Sequence, residues 1–233
     1  MYSEEELGNV FQKYIKKSRK TDLPKYDLLF KEVQSIQGIP DYVGLYFNTP
    51  SKIELIRKVL KSDVNSISNI SKLLPYIKKN APHNIEYLSK KTNIPSHIVN
   101  SVLTNLKEEN IVQETEKLKY ILSIDFDISD LEIWSFELKL KNWKRAVFQA
   151  LRYKTFSDYV YIVMPVKMKE ILIKNEEKFR DFNIGVIIYD EKLNEFNRII
   201  RAKKNVNKSK SHTYYVLLQI LNKIKNGDRL KIN

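Results

Sequence analysis

The sequence contains no cysteine, which excludes disulfide frameworks, thiolate zinc sites and cysteine nucleophiles. It has only three histidines, His83, His97 and His212, and none lies at the i, i+4 spacing of a shared helical metal site. Any bound metal is therefore expected to be a hard cation held by carboxylates. No run approaches the roughly 18 uncharged apolar residues of a membrane span, and the opening Met1-Tyr2-Ser3-Glu4 is acidic where a secretory leader would be basic. A cytoplasmic protein with no membrane partner is the expectation.

What remains is a chain of 233 residues, 42% of them hydrophobic, enough for one large domain or two small ones around a substantial core. Lysine and arginine number 41 against 28 acidic residues, a net charge of +13. Nucleic acid is the natural partner for such a surplus, although the abundance of Lys, Asn, Ile and Tyr also suits an AT-rich genome. Basic residues cluster at Lys16, Lys17, Arg19 and Lys20, and again at Arg201, Lys203, Lys204, Lys208 and Lys210.

Periodicity divides the chain into three stretches. Glu4 to Lys17 reads as a helix, with Leu7, Val10, Phe11 and Tyr14 on one stripe. Tyr26 to Val33 and Tyr42 to Phe47 read as strands, with Gly38-Ile39-Pro40 before the second. From about 51 to 123 the pattern turns helical: 53–60, 67–79, 85–91 and 95–108, then a hairpin from 111 to 122. Three short helices and a two-stranded wing define a winged-helix plan. The third stretch alternates again: strand 131–140, helix 143–153 capped by Asn142, strand 159–164, helix 166–179, strand 185–189 and a last helix 213–225. The expected fold class is α/β, a sheet covered on both faces by helices and interrupted by a helical insertion. The expected domains are 1–50, 51–123 and 124–233.

One tripeptide stands out, Glu137-Leu138-Lys139, where the strand Ile133-Trp134-Ser135-Phe136 ends before a helix. Side chains two apart on a strand share a side, so a carboxylate and an ammonium meet there, an arrangement able to hold a divalent cation and a water over a phosphate. Pro40-Asp41 on an earlier strand, and Gln149 and Tyr153 one turn apart on the following helix, are placed to converge on the same pocket. Two competing tripeptides exist. Glu176-Glu177-Lys178 lies within a helix, and Asp190-Glu191-Lys192 follows a strand but lacks a helix with a Gln behind it.

Pro40-Asp41 with Glu137-Leu138-Lys139, joined to Gln149-x-x-x-Tyr153, resembles the PD-(D/E)XK nuclease superfamily, with its restriction-endonuclease-like mixed sheet flanked by helices. The resemblance covers residues 1–50 and about 124–200. The family normally sets its Asp and its E-x-K a few tens of residues apart, whereas here 95 intervene; removing the insertion leaves about 22, the usual separation. The Gln-x-x-x-Tyr element resembles the branch containing bacterial recombination exonucleases. An N-terminal glutamate is also implied, and among Glu4, Glu5 and Glu6 only Glu4 falls at i−3 and i−7 from Leu7 and Phe11.

The resemblance implies a Mg²⁺- or Mn²⁺-dependent nuclease with no organic cofactor. Asp41 and Glu137, with the Leu138 carbonyl, would ligate metal; Lys139 would hold or deprotonate the attacking water; Gln149 would orient Lys139 or a metal-bound water; Glu4 would serve a second metal. Tyr153, Lys144 and Arg145 are placed as nucleic-acid contacts. The insertion's helix 95–108 is expected to bury Ile98, Val102 and Leu106 and to present Ser96, His97, Asn100, Ser101, Thr104 and Lys107 to a groove. DNA is the expected ligand with RNA open, and a homodimer is a prior carried by the family. The plainer readings are turn chemistry for Pro40-Asp41, a surface ion pair for Glu137 and Lys139 and core packing for Tyr153. The alternative function is a non-catalytic DNA-binding or regulatory module, or a partner-dependent subunit of a defence or repair complex.

Overall fold

Helix α1 (Glu4–Lys17) starts at a reciprocal cap: the Glu6 N–H donates to Ser3 Oγ (3.0 Å) and the Ser3 N–H to Glu6 Oε2 (3.3 Å). Two otherwise unsatisfied donors are thereby met. The computed structural model describes residues 3–17, 23, 26–47, 66–123, 131–227 and 230–231. After α1 come strands β1 (Leu28–Lys31) and β2 (Tyr42–Phe47), then helices α2 (Ile67–Leu73), α3 (Ile85–Thr92) and α4 (Ser96–Glu108) and the hairpin β3 (Val112–Thr115) and β4 (Lys119–Leu122). The chain continues through β5 (Leu131–Leu138), α5 (Trp143–Tyr153), β6 (Tyr159–Pro165), the short helices α6 (Lys169–Lys174) and α7 (Glu176–Asp181), β7 (Gly185–Asp190), β8 (Glu195–Ile200), α8 (Lys210–Lys225) and β9 (Leu230–Lys231). The expected helix 53–60, Arg19 and Lys20 lie outside the described residues. Among those described, no helix is long and apolar enough to cross a membrane.

The chain forms two units, one of residues 1–47, 131–208 and 228–233, the other of 48–130 and 209–227. The first is α/β, with a mixed sheet flanked by helices in the strand order β8-β7-β6-β5-β2-β1-β9. The pairs β5–β6 and β6–β7 run parallel; β7–β8, β5–β2, β2–β1 and β1–β9 run antiparallel. Alternation along β5 sets the layers. Phe136 meets Phe11 of α1 at a ring separation of 5.1 Å, whereas its neighbour Glu137 meets Tyr153 of α5. The two helices therefore cover opposite faces. Gly44 makes the sheet's packing possible, since a Cβ there would stand 2.5 Å from the Tyr26 ring.

Several local expectations change for physical reasons. The helix expected over 67–79 gives way to a 3₁₀ turn at Leu74–Tyr76, where Pro75 supplies no N–H to continue it. The helix expected over 166–179 is a 3₁₀ turn and two short helices broken at Asn175. Strand β8 carries no sequence signal because it is an edge strand of which only Phe196 and Ile200 are fully buried.

The second unit is built on Ile70, Leu73, Leu88, Val99, Val102, Leu103, Leu106 and Ile111. Its α4 buries Val99 and Leu103, with Ile98 only partly covered. The last helix, α8, belongs to this unit and not to the sheet domain in which the sequence placed it. Its Tyr214 and Leu218 join the same core. With Val216, Leu217, Ile220, Leu221 and Ile224 also buried, α8 has no single stripe from which a partner is legible. The chain then returns to the first unit as β9 beside β1.

Candidate active site

Four separate pieces of chain meet at one end of the β2–β5 pair. Registration of Tyr42 opposite Phe136 puts Asp41 beside the end of β5, where its Oδ2 accepts the Leu138 N–H at 2.7 Å. Pro40-Asp41 is thus more than turn chemistry: the carboxylate ties the approach to β2 onto the end of β5. Glu137 is 1% exposed and both its oxygens are engaged. Oε2 accepts the Tyr153 hydroxyl at 2.7 Å, and Oε1 lies 3.0 Å from Lys139 Nζ.

Lys139 Nζ also reaches Glu4 Oε2 and the Leu138 carbonyl, each at 3.0 Å. An ammonium has three donors, and all are committed. The expected Gln149–Lys139 contact is therefore not made. Gln149 sits one turn before Tyr153 on α5, half-buried, its Oε1 buried without a partner. The choice of Glu4 over Glu6 has a local cause, because Glu6 is held in the cap with Ser3. Gly8 lets α1 come this close: a Cβ there would stand 2.9 Å from the Tyr42 hydroxyl.

Tyr153 is 2% exposed, and its hydroxyl donates to Glu137 and lies 3.1 Å from the Ile39 carbonyl. This corrects its expected role as a nucleic-acid contact: it is a buried group that fixes the carboxylate. Lys144 and Arg145 are exposed in the first turn of α5, which Asn142 caps by accepting the Arg145 N–H at 3.0 Å.

Burial dominates the electrostatics. It pushes the Asp41 carboxyl above its ordinary value, against the Leu138 N–H and the Lys139 charge, which pull it down. Burial, and then the Asp41 charge, push Glu137 up as well, despite bonds from Tyr153 and Lys139. Burial alone would lower Lys139, but Glu137 and Glu4 outweigh it and hold its proton more firmly. The ammonium is held in its charged form by Glu137 and Glu4.

A cavity of about 370 Å³ opens beside these groups, lined by Glu4, Asp41, Tyr42, Leu138, Glu5 and Glu32 among others. Three of these are residues the sequence reading missed. Glu5 lines the cavity beside Glu4, although the helical stripe singles out Glu4 alone. Glu32 looked like one position in a strand to Val33, but β1 ends at Lys31 and Glu32 turns out with φ 50°. Tyr42 looked like strand core; its hydroxyl is buried without a partner, and burial with Asp41 and Glu32 pushes it up to about 12.

Among the described residues no three carboxylate or imidazole groups gather closely enough to hold a metal ion by themselves. The donors nevertheless fit Mg²⁺, which takes one or two carboxylates and completes its shell with water and substrate phosphate. Asp41 keeps an oxygen beyond its bond to Leu138, Leu138 lines the cavity while its carbonyl accepts from Lys139 with a lone pair to spare, and the orphan Tyr42 hydroxyl gives a water or phosphoryl oxygen a partner there.

The competing tripeptides are structural. Asp190 Oδ1 accepts the Lys192 and Leu193 N–H groups (2.9 and 3.3 Å) in the turn between β7 and β8, and Glu176 pairs with Arg180 on α7. Part of the expected basic rim is structural too. Lys208 neutralises the buried Asp158 (2.7 Å), and Lys204 pairs with Glu132 (2.9 Å). In the second unit Ser96, His97, Asn100, Ser101, Thr104 and Lys107 are all exposed on α4, but Lys107 is bound to Glu114 at 2.5 Å. No protein-family model matches the chain, and no curated protein matches it either.

Proposed function

We propose that the protein is a metal-dependent nuclease of the PD-(D/E)XK kind, acting on DNA in the cytoplasm, with the second unit helping to bind the substrate. The observation that carries this reading is the convergence of Glu4, Asp41 and the Glu137–Lys139 pair from three separated segments, beside a cavity that Glu4 and Asp41 line. Burial keeps the two inner carboxylates in want of a cation. When bound at Asp41 and the Leu138 carbonyl, Mg²⁺ or Mn²⁺ would supply Lewis acidity and a more acidic water.

The chain's own residues do the positioning. Tyr153 locks Glu137, and Glu137 locks the ammonium. Glu4, about half exposed, is the partner of Lys139 that a phosphoryl oxygen can replace without uncovering a buried charge. Lys139 then offsets the charge that develops on the phosphoryl group as the bond breaks. The test is cleavage of labelled single-stranded, duplex and branched DNA with Mg²⁺, Mn²⁺ or EDTA, comparing the natural chain with Lys139→Ala. Metal-dependent cutting lost in the variant is expected. Salt-sensitive binding with no cutting by either protein would leave the non-catalytic or partner-dependent reading.

A further inference from the structure

The second unit carries a groove of about 560 Å³ that the site above does not use. We propose that this groove is the protein's single-strand binding site, with bases stacking on Tyr87 and Tyr76 and phosphates held by Lys72, Lys78, Lys91 and Lys210. The proposal deepens the nuclease reading by naming where the substrate strand is held, and it rests on that reading for the choice of nucleic acid.

The lining is cationic and aromatic with no carboxylate in it. Among the described residues, none of the four lysines has an acidic partner, in contrast to Lys107, Lys204 and Lys208. The aromatic part is built in advance. His83 is fixed by a two-bond bridge to Tyr120, with N–O distances of 3.3 and 2.8 Å, and stacks on Tyr87 at a ring separation of 4.0 Å and 15° between planes. Tyr87 is anchored from its own backbone, whose N–H donates to the helix cap Asn84. Lys91, one turn on, lies 5.8 Å from the centre of the Tyr87 ring.

Tyr87 and Tyr76 are 37% and 36% exposed, an arrangement that wastes apolar area unless something covers it. Every base has a π-face, so stacking platforms beside a positive groove hold single strands without reading sequence. Ser209 and Ser211, also in the lining, are hydrogen-bonded to each other at 3.0 Å, which leaves one hydroxyl proton of the pair for a phosphate oxygen. The face differs from the exposed surface of α4, whose single lysine is neutralised.

The test is equilibrium binding of a fluorescein-labelled oligothymidylate about 16 nucleotides long, the upper site size of one single-strand module, to the full chain in EDTA. Tyr87→Ala is expected to weaken binding about tenfold, while Tyr87→Phe, which keeps the ring, binds like the natural chain. Lys72→Ala with Lys91→Ala is expected to reduce the slope of log affinity against log salt by about 0.7 per lysine, and Lys169→Ala, an exposed lysine of the other unit, to leave affinity unchanged. Circular dichroism checks that each variant is folded. Affinities of Tyr87→Ala and the double lysine variant within twofold of the natural chain, or a matched duplex displacing the single strand at equal concentration, would overturn the proposal. If the natural chain cuts DNA while these variants bind unchanged, this inference fails and the nuclease reading stands. Lost binding in a protein that never cuts gives the reverse.

Discussion

Removing one oxygen, in Tyr153→Phe, tests how the buried carboxylate of Glu137 is held. The hydroxyl donates to Glu137 Oε2 at 2.7 Å in a place where Glu137 is 1% and Tyr153 2% exposed, so no water replaces it. A hydrogen bond to a buried charge is worth about 1.5–3 kcal/mol and a neutral one about 0.5–1.5 kcal/mol. The loss should therefore depend on pH. Glu137 binds its proton more tightly folded than unfolded; its contribution to stability is fully present below the unfolded value near 4.3 and fades as pH rises through the folded value. The Tyr153 bond favours the ionised form, so deleting it pushes the folded value higher still and deepens that loss.

We expect Tyr153→Phe to cost about 1.5–3 kcal/mol near pH 7 and about 0.5–1.5 kcal/mol near pH 4. Urea unfolding followed by tryptophan fluorescence measures this in the right place, because the protein's two tryptophans, Trp134 on β5 and Trp143 on α5, both lie in the first unit. An equal cost at both pH values, or none at pH 7, would refute the claim that Tyr153 holds an ionised Glu137.

Two further outcomes follow from the geometry. Gly8→Leu forces a side chain toward the Tyr42 hydroxyl, only 2.9 Å from the first added carbon; it should cost about 1–3 kcal/mol by the same fluorescence assay and lower any cleavage by moving Glu4 from Lys139, whereas unchanged stability would show that α1 does not depend on that approach. His212 is half-buried with Nδ1 unpartnered, and burial lowers its affinity for a proton. The unfolded chain therefore binds the proton better, and the stability of the second unit should be complete above about pH 6.5 and fall as pH drops below it. Thermal melts by circular dichroism should show this slope and its loss in His212→Gln, and a slope that survives the substitution assigns it to another group.

How much was legible depended on whether a signal was local. The β5 strand, the Asn142 cap and the i, i+2 pairing of Glu137 with Lys139 are properties of consecutive residues, and they stand where the periodicity put them. Glu4 was legible because the helical stripe through Leu7 and Phe11 fixes which glutamate lies nearest the core. Tyr153 was placed on the correct face of α5, but a one-dimensional pattern does not say whether a tyrosine at a site is buried. Glu32 and Tyr42 were missed because one looked like a surface position and the other like core. Both gain their meaning from a cavity whose other walls lie on α1 and β5.

The sequence by itself determined the α/β class, the interruption by a helical segment and the presence of a carboxylate–ammonium pair at a strand end, since backbone periodicity and side-chain alternation need no partner to be read. Only the tertiary structure decided which groups are spent on one another. It committed all three protons of Lys139, paired Lys208 with Asp158, bound Lys107 to Glu114 and, among the described residues, left the groove lysines without acids. It also gave α8 to the second unit, because a helix apolar on several sides fits more than one core. Long-range pairing and burial are set by closure of the whole chain, and they determine which charges remain to meet a ligand.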